Sequence, residues 1–220
     1  PEVTLHPTSG DMVVFGSGKY IEPNDNTNNA AQTFYGVWDN GATATRSDLV
    51  GRTVASTVAL AGGNFRKITH PDADPVDSTD KVDYSGGERG WYFDLPTSLE
   101  RTTGIPKIEN GVVIFNTYIP SVEACDAGGT GWLMGLDFLE GTNPVNHLFD
   151  TDGDGDIDEG DDLVGGYQVG AALGGTTLIR SAEGEASVGV SSLTSGVLET
   201  TLVAPGSSSR GRINWREIVQ

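Results

Sequence analysis

Basic residues are scarce in this chain: 13 Lys and Arg stand against 31 Asp and Glu in 220 residues, a formal net charge of −18. Nothing here neutralises a phosphate track, which argues against a nucleic-acid partner and suits a soluble, cation-rich, extracellular setting. Cysteine is nearly absent. Cys125 stands alone, so no disulfide scaffold forms within the segment, and the thiol is either buried or bonded to a cysteine elsewhere in a parent chain. No run approaches the length of about 20 apolar residues that a membrane helix needs. The opening Pro1-Glu2-Val3 follows no basic-then-apolar leader and reads as the interior of a longer protein. The three histidines, His6, His70 and His147, are far apart, with neither triad nor metal-ligand spacing. Paired acids outside one ordered stretch lack a base partner, so the chain is not expected to be an enzyme.

What the chain has in excess is glycine. With 31 glycines and 10 prolines, long helices are interrupted too often, while 36% hydrophobic content still supplies a real core. The fold class that follows is all-β.

The sharpest chemical signal lies at residues 150–162. Counting Asp150 as position 1, Asp152, Asp154, Asp158 and Asp161 occupy positions 3, 5, 9 and 12, with Gly155 at 6 and Ile157 at 8. That is the order of a calcium loop in which alternate side chains point inward, position 7 (Asp156) lends its carbonyl, and the glycine permits the turn. Hard oxygen donors at this density suit Ca2+, and without a cation the clustered charges repel one another. A solvated acidic loop would have no need of the ordered spacing or the glycine. Position 12 is Asp161, shorter than the bidentate glutamate usual there, so either Asp161 or Asp162 reaches less far or water completes the shell. The flanks, 144–149 and 163–169, read as strand or turn, which predicts an EF-hand-like loop inserted between β-strands and not a pair of opening helices.

The strands around it repeat a grammar. Residues 12–18 form a short apolar run closed by glycines, followed after an Asn-rich insert by the aromatic run 34–41. Residues 112–117 and 132–141 repeat the scheme, each second strand ending in Asp (Asp39, Asp137) and then Gly (Gly41, Gly141). Recurring strand pairs of this kind announce propeller blades, each a small antiparallel sheet packed on its neighbours. Further strands are expected at 90–95, 176–180, 186–190, 197–203 and 213–218. At about 40 to 50 residues per blade the chain holds about three to five, which predicts a β-propeller-like fold that is partial or completed by further chain. Residues 49–60 are readable as helix or strand, and 70–83 as a surface loop with scattered acids.

These strands, in this order, resemble the C-terminal propeller of the PilY/PilC family of type IV pilus tip proteins. The resemblance runs through 14–20, 32–39, 45–49, Gly90-Trp91-Tyr92-Phe93-Asp94-Leu95-Pro96, 113–120, Cys125, 128–133, the acidic loop and 211–217, nearly the whole chain. It implies a chain (1–220) that is the C-terminal propeller portion of a larger surface protein, located at the pilus tip (the fimbrium) and associated with the outer membrane. Pilins and minor pilins are the implied partners, together with host cells. The implied work is pilus assembly, adhesion and twitching motility, with calcium setting the balance of extension against retraction. The family pattern places ligands at Asp150, Asp152, Asp154 and Asp158 with the carbonyl of Asp156. One departure is clear: where the family often has Gly-Glu-Arg-Val, this chain has Leu99-Glu100-Arg101-Thr102.

Two other readings compete. Quinone-cofactor propeller dehydrogenases share the strand pair, but fold analogy does not transfer chemistry. A glycan- or host-binding surface would use Trp38, Trp91 and Trp132 for stacking, whereas in a propeller such residues more often pack between blades.

Overall fold

The computed structural model describes residues 1–69, 81–121, 128–170, 173–180, 187–193 and 198–204. The acid-bearing segment from His70 to Asp80, Cys125 and the strand expected at 213–218 lie outside the described residues.

The strands are β1 (Glu2–Leu5), β2 (Asp11–Gly16), β3 (Thr33–Asp39), β4 (Val50–Leu60), β5 (Gly63–Thr69), β6 (Gly90–Asp94), β7 (Lys107–Glu109), β8 (Val112–Pro120), β9 (Gly129–Asp137), β10 (Gly166–Val169), β11 (Leu173–Arg180), β12 (Ser187–Leu193) and β13 (Leu198–Val203). Apart from two single 3-10 turns, Pro23–Asn26 and Arg46–Asp48, the described secondary structure is all β. Ten strands form one sheet in the order β1-β2-β3-β6-β4-β5-β10-β9-β8-β7, and β11-β12-β13 form a second. The edges β1 and β7 come into contact, so the large sheet is nearly closed into a barrel.

Both expected strand pairs are present, as antiparallel β2–β3 and β8–β9. The expectation of several small, separate sheets is not met in the ten-strand part, and the reason is β4. Val50, Gly51 and Arg52 pair in parallel with Trp91, Tyr92 and Phe93 of β6. The rest of the same strand pairs antiparallel with β5 as far as Leu60↔Gly63. One eleven-residue strand thus welds two halves that would otherwise stand as independent sheets.

The halves face each other. Met12, Val14, Phe34, Trp38, Trp91 and Phe93 from one half meet Val113, Phe115, Trp132, Met134 and Leu136 from the other in a single buried cluster. Phe34 and Phe115 stack with ring centroids 3.7 Å apart. A second cluster lies on the outer face of β8 and β9, where Val112, Ile114 and Leu133 pack with Phe65, Leu148, Phe149, Val164, Val169 and Val203. Strands buried on both faces carry continuous apolar runs, and strands buried on one face alternate. This accounts for Val112-Val113-Ile114-Phe115 on β8 and for the buried-then-half-exposed alternation of β2 and β3. The three tryptophans considered for ligand stacking, Trp38, Trp91 and Trp132, are all buried in the first cluster.

The recurring Asp-then-Gly punctuation is turn chemistry. Asp39 accepts the Gly41 amide at 2.9 Å, and Asp137 accepts the Leu139 and Glu140 amides, both at 2.9 Å. Burial pushes the Asp137 carboxyl up, and these two amides pull it back down in part. The glycines follow with left-handed φ, +87° at Gly41 and +69° at Gly141.

Residues 99–102 form a junction in which Glu100, Arg101 and Thr102 are buried. Arg101 donates to the carbonyls of Lys19 (2.6 Å), Asn28 (3.0 Å) and Leu99 (3.0 Å). The Thr102 side chain fills the space that a Cβ at Gly16 would occupy, which explains the glycine after Val14-Phe15. Leu99 itself sits at φ +66°, a region costing an L-residue about 1–2 kcal/mol. Glycine escapes that cost but gives back about 0.5–1 kcal/mol in chain entropy. Leu99→Gly is therefore expected to be neutral to stabilising by about 1 kcal/mol in urea unfolding, whereas a buried-core leucine would lose stability on the same change.

Candidate metal centre

The acidic segment leaves β9, passes the tip of the β4–β5 hairpin and returns as β10. Its two ends are anchored by apolar burial: Leu148, Phe149 and Val164 are each 1% exposed, and Phe149 lies 6.4 Å from Phe65 and 6.2 Å from Tyr167 between ring centroids. Asn143 ties the base, accepting the Ile68 amide at 2.8 Å and donating to the Leu163 carbonyl at 3.3 Å. The acidic residues between these anchors need no core of their own.

Within the loop the carboxylates of Asp150, Asp152, Asp154 and Asp158 each accept a backbone amide a few residues ahead, the local bonding that Asp favours outside helices and ladders. Asp150 accepts from Gly153 (2.6 Å) and Gly155 (3.0 Å). Asp152 accepts from Asp154 (3.1 Å), Asp154 from Asp156 (2.9 Å), and Asp158 from Gly160 (2.6 Å). Two positive-φ glycines permit the winding, Gly153 at +76° and Gly155 at +98°. Gly155 is the glycine of position 6, in the conformation the motif requires.

Among the described residues, Asp150, Asp152 and Asp154 bring one carboxylate oxygen each within 4.8 Å of one another. Asp152 and Asp154 are exposed and Asp150 is half-buried. The Asp154 amide lowers the Asp152 carboxyl, but local desolvation and the charges of Asp154, Asp161 and Asp150 outweigh it, leaving Asp152 above the usual range. An all-oxygen, all-anionic donor set with no histidine or thiolate fits a hard divalent cation, Ca2+ ahead of a transition metal.

Asp156 and Asp158 lie in the loop outside this three-residue group, with Asp156 serving through its amide as donor to Asp154. Asp161 is 7% exposed and turned toward the loop's own backbone: it accepts from the Thr151 amide (2.5 Å), the Thr151 hydroxyl (3.0 Å), the Asp152 amide (3.4 Å) and the Asp158 amide (2.9 Å). Burial raises its carboxyl, and those donors together bring it below the usual range. Asp162 faces Lys67 at 3.3 Å. The sequence reading passed over Thr151, which is 2% exposed, and Gly62 and Lys67 on the neighbouring hairpin. A glycine pair at 62–63 closing a strand was the one available signal.

The same chain architecture is found in a solved protein. The crystal structure of the Pseudomonas aeruginosa PilY1 C-terminal domain superposes with a TM-score of 0.71 at 24% identity, covering 94% of this chain and 44% of that one. The class is therefore an all-β, nearly closed sheet of the PilY1 C-terminal type. In sequence, the PilY1 type IV pilus biogenesis factor of P. aeruginosa strain PAO1 is 32% identical over 252 residues, 99% of this chain and 20% of that protein. A PilY1 homologue of Xylella fastidiosa is 32% identical over 147 residues, 64% of this chain and 9% of that protein. The chain belongs to the PilY1 family. It spans about one fifth or less of the length of these relatives. No family model matches it.

Proposed function

We propose that residues 1–220 are the C-terminal propeller portion of a type IV pilus biogenesis factor, and that the 150–162 loop binds one Ca2+ that biases pilus extension against retraction. The observation that carries the calcium reading is the convergence of Asp150, Asp152 and Asp154 within 4.8 Å on a loop wound by a left-handed Gly155. The family and the names of the relatives support the pilus reading. The ligand set is Asp150, Asp152, Asp154 and Asp158 with the Asp156 carbonyl. The role is non-enzymatic: the ordered loop presents a surface to pilins or minor pilins at the pilus tip on the cell surface, with adhesion to host cells belonging to the larger protein. Among the described residues no helix is long and apolar enough to cross a membrane.

Binding to the folded state alone stabilises it by mass action, by about 2.7 kcal/mol at a hundredfold excess of free Ca2+ over Kd. Thermal melts of the wild type should therefore rise with Ca2+ and fall back on chelation. Asp154→Ala and Asp158→Ala should flatten that response. Unchanged calcium binding in both variants by isothermal titration would sink the calcium reading. In cells, a wild-type balance of piliation and twitching in Asp154→Ala would separate calcium from pilus dynamics.

A further inference from the structure

The tip of the β4–β5 hairpin is built into the acidic loop. The Gly62 amide donates to the Thr151 carbonyl at 2.9 Å. A Cβ at Gly62 would run into the Asp150 carbonyl oxygen and stand 3.1 Å from that of Thr151. Thr151 then passes the constraint inward: its hydroxyl accepts the Asp162 amide at 2.7 Å and donates to Asp161 at 3.0 Å. The buried Asp161 carboxylate holds the Thr151, Asp152 and Asp158 amides together. These bonds hold the amides of Thr151, Asp152 and Asp158 without any of the four proposed ligand carboxylates, Asp150, Asp152, Asp154 and Asp158, taking part.

We infer that Gly62, Thr151 and Asp161 are positioning residues. They hold the carboxylates of the loop in their ligating arrangement before a cation arrives, and Asp161 acts through backbone amides and not as the twelfth-position ligand. The inference rests on the calcium reading above and adds what sets its affinity. The two Asp161 oxygens already accept from three amides, the buried one of Thr151 and those of Asp152 and Asp158, and from the Thr151 hydroxyl, so turning one outward to an ion would leave amides without their acceptor. A loop so braced takes up its ion without being remodelled.

Calcium titration of the intact chain and amide hydrogen exchange in chelator test this together. Gly62→Ala and Thr151→Val keep every carboxylate, yet each should weaken Ca2+ binding about 10- to 100-fold, the usual effect of disturbing groups behind the ligands. Thr151→Ser, which restores the hydroxyl, should recover most of it. In the ion-free protein the Thr151, Asp152 and Asp158 amides should be protected in the wild type, and in Thr151→Val and Asp161→Asn they should exchange about tenfold faster or more. A residue acting only as a ligand would not change exchange without the ion. Wild-type affinity in both Gly62→Ala and Thr151→Val, or unprotected amides in the ion-free wild type, would overturn the inference. Should the wild type bind no Ca2+, the calcium reading fails, and the exchange data alone then decide whether the brace exists. A misfolded Gly62→Ala leaves the decision to Thr151→Val and its serine control.

Discussion

Arg66→Ala is expected to lower the unfolding free energy by about 3–5 kcal/mol, and Glu100→Ala by a similar amount. Arg66 on β5 is 2% exposed and Glu100 is 1% exposed. They meet fork to fork, Nη1 on Oε1 at 2.7 Å and Nη2 on Oε2 at 2.9 Å. Nη2 also reaches Thr97 Oγ1 at 3.0 Å, while Glu100 accepts the Thr117 hydroxyl at 2.7 Å and the Thr97 amide at 3.2 Å. The guanidinium lies 3.9 Å from the centroid of the Trp132 ring. Truncating either partner leaves a buried, uncompensated charge beside an aromatic ring. Replacing both together does not, so Arg66→Met with Glu100→Leu should cost clearly less than either truncation, a coupling measurable by urea unfolding of the double-mutant cycle. Arg66→Lys should recover little, because an ammonium cannot supply the two-pronged fork. Equal and additive losses from the two truncations would mean the pair is not the unit of stability described.

That pair was not readable from the sequence. Arg66 and Glu100 are 34 positions apart, nothing in the sequence around Arg66 points to Glu100, and only the closing of β5 against β10 and the turn of 97–100 brings them together. The features that were readable are those whose cause is local. The apolar run closed by glycines on β2, the aromatic run on β3 and the apolar runs on β8 and β9 follow from which faces are buried, and they marked both strand pairs. The loop 150–162 was readable because its shape comes from Asp-to-amide bonds two to five residues long and from glycines with positive φ. Its brace was not, because Gly62 and Thr151 act across 89 positions through backbone atoms, which leave no side-chain signature. The same limit explains β4. Residues 49–60 are readable in sequence as helix or strand, and the switch from a parallel partner at Arg52 to an antiparallel one at Thr53 depends on strands that arrive from elsewhere in the chain.

Trp91→Ala is expected to cost about 3–5 kcal/mol, at the upper end for a core truncation. Trp91 is fully buried where the two halves of the sheet meet. Its indole lies between two glycines: Gly36, its direct partner on β3, and Gly141, in the turn after β9. A Cβ at either position would collide with the ring. Its Nε1 donates to the Phe138 carbonyl at 3.1 Å, and its ring centroid is 6.0 Å from that of Phe34. The side chain thus fills a slot prepared from both halves, one wall of which is the glycine that recurs in the strand-pair pattern. Removing the indole leaves a cavity lined by two residues with no side chains to collapse into it, which keeps the loss near the full transfer-plus-cavity value. Trp91→Phe should cost less, since it retains most of the ring volume and forfeits the Phe138 bond. Gly141→Ala should also destabilise, by the ring collision together with its φ of +69°. In the double variant Trp91→Ala with Gly141→Ala the collision disappears while the backbone cost remains. The two losses should therefore sum to more than the double variant shows, by about 0.5–3 kcal/mol in chemical unfolding. Strict additivity would indicate that the glycine is there for its backbone alone and that the indole is not what the slot was shaped to receive.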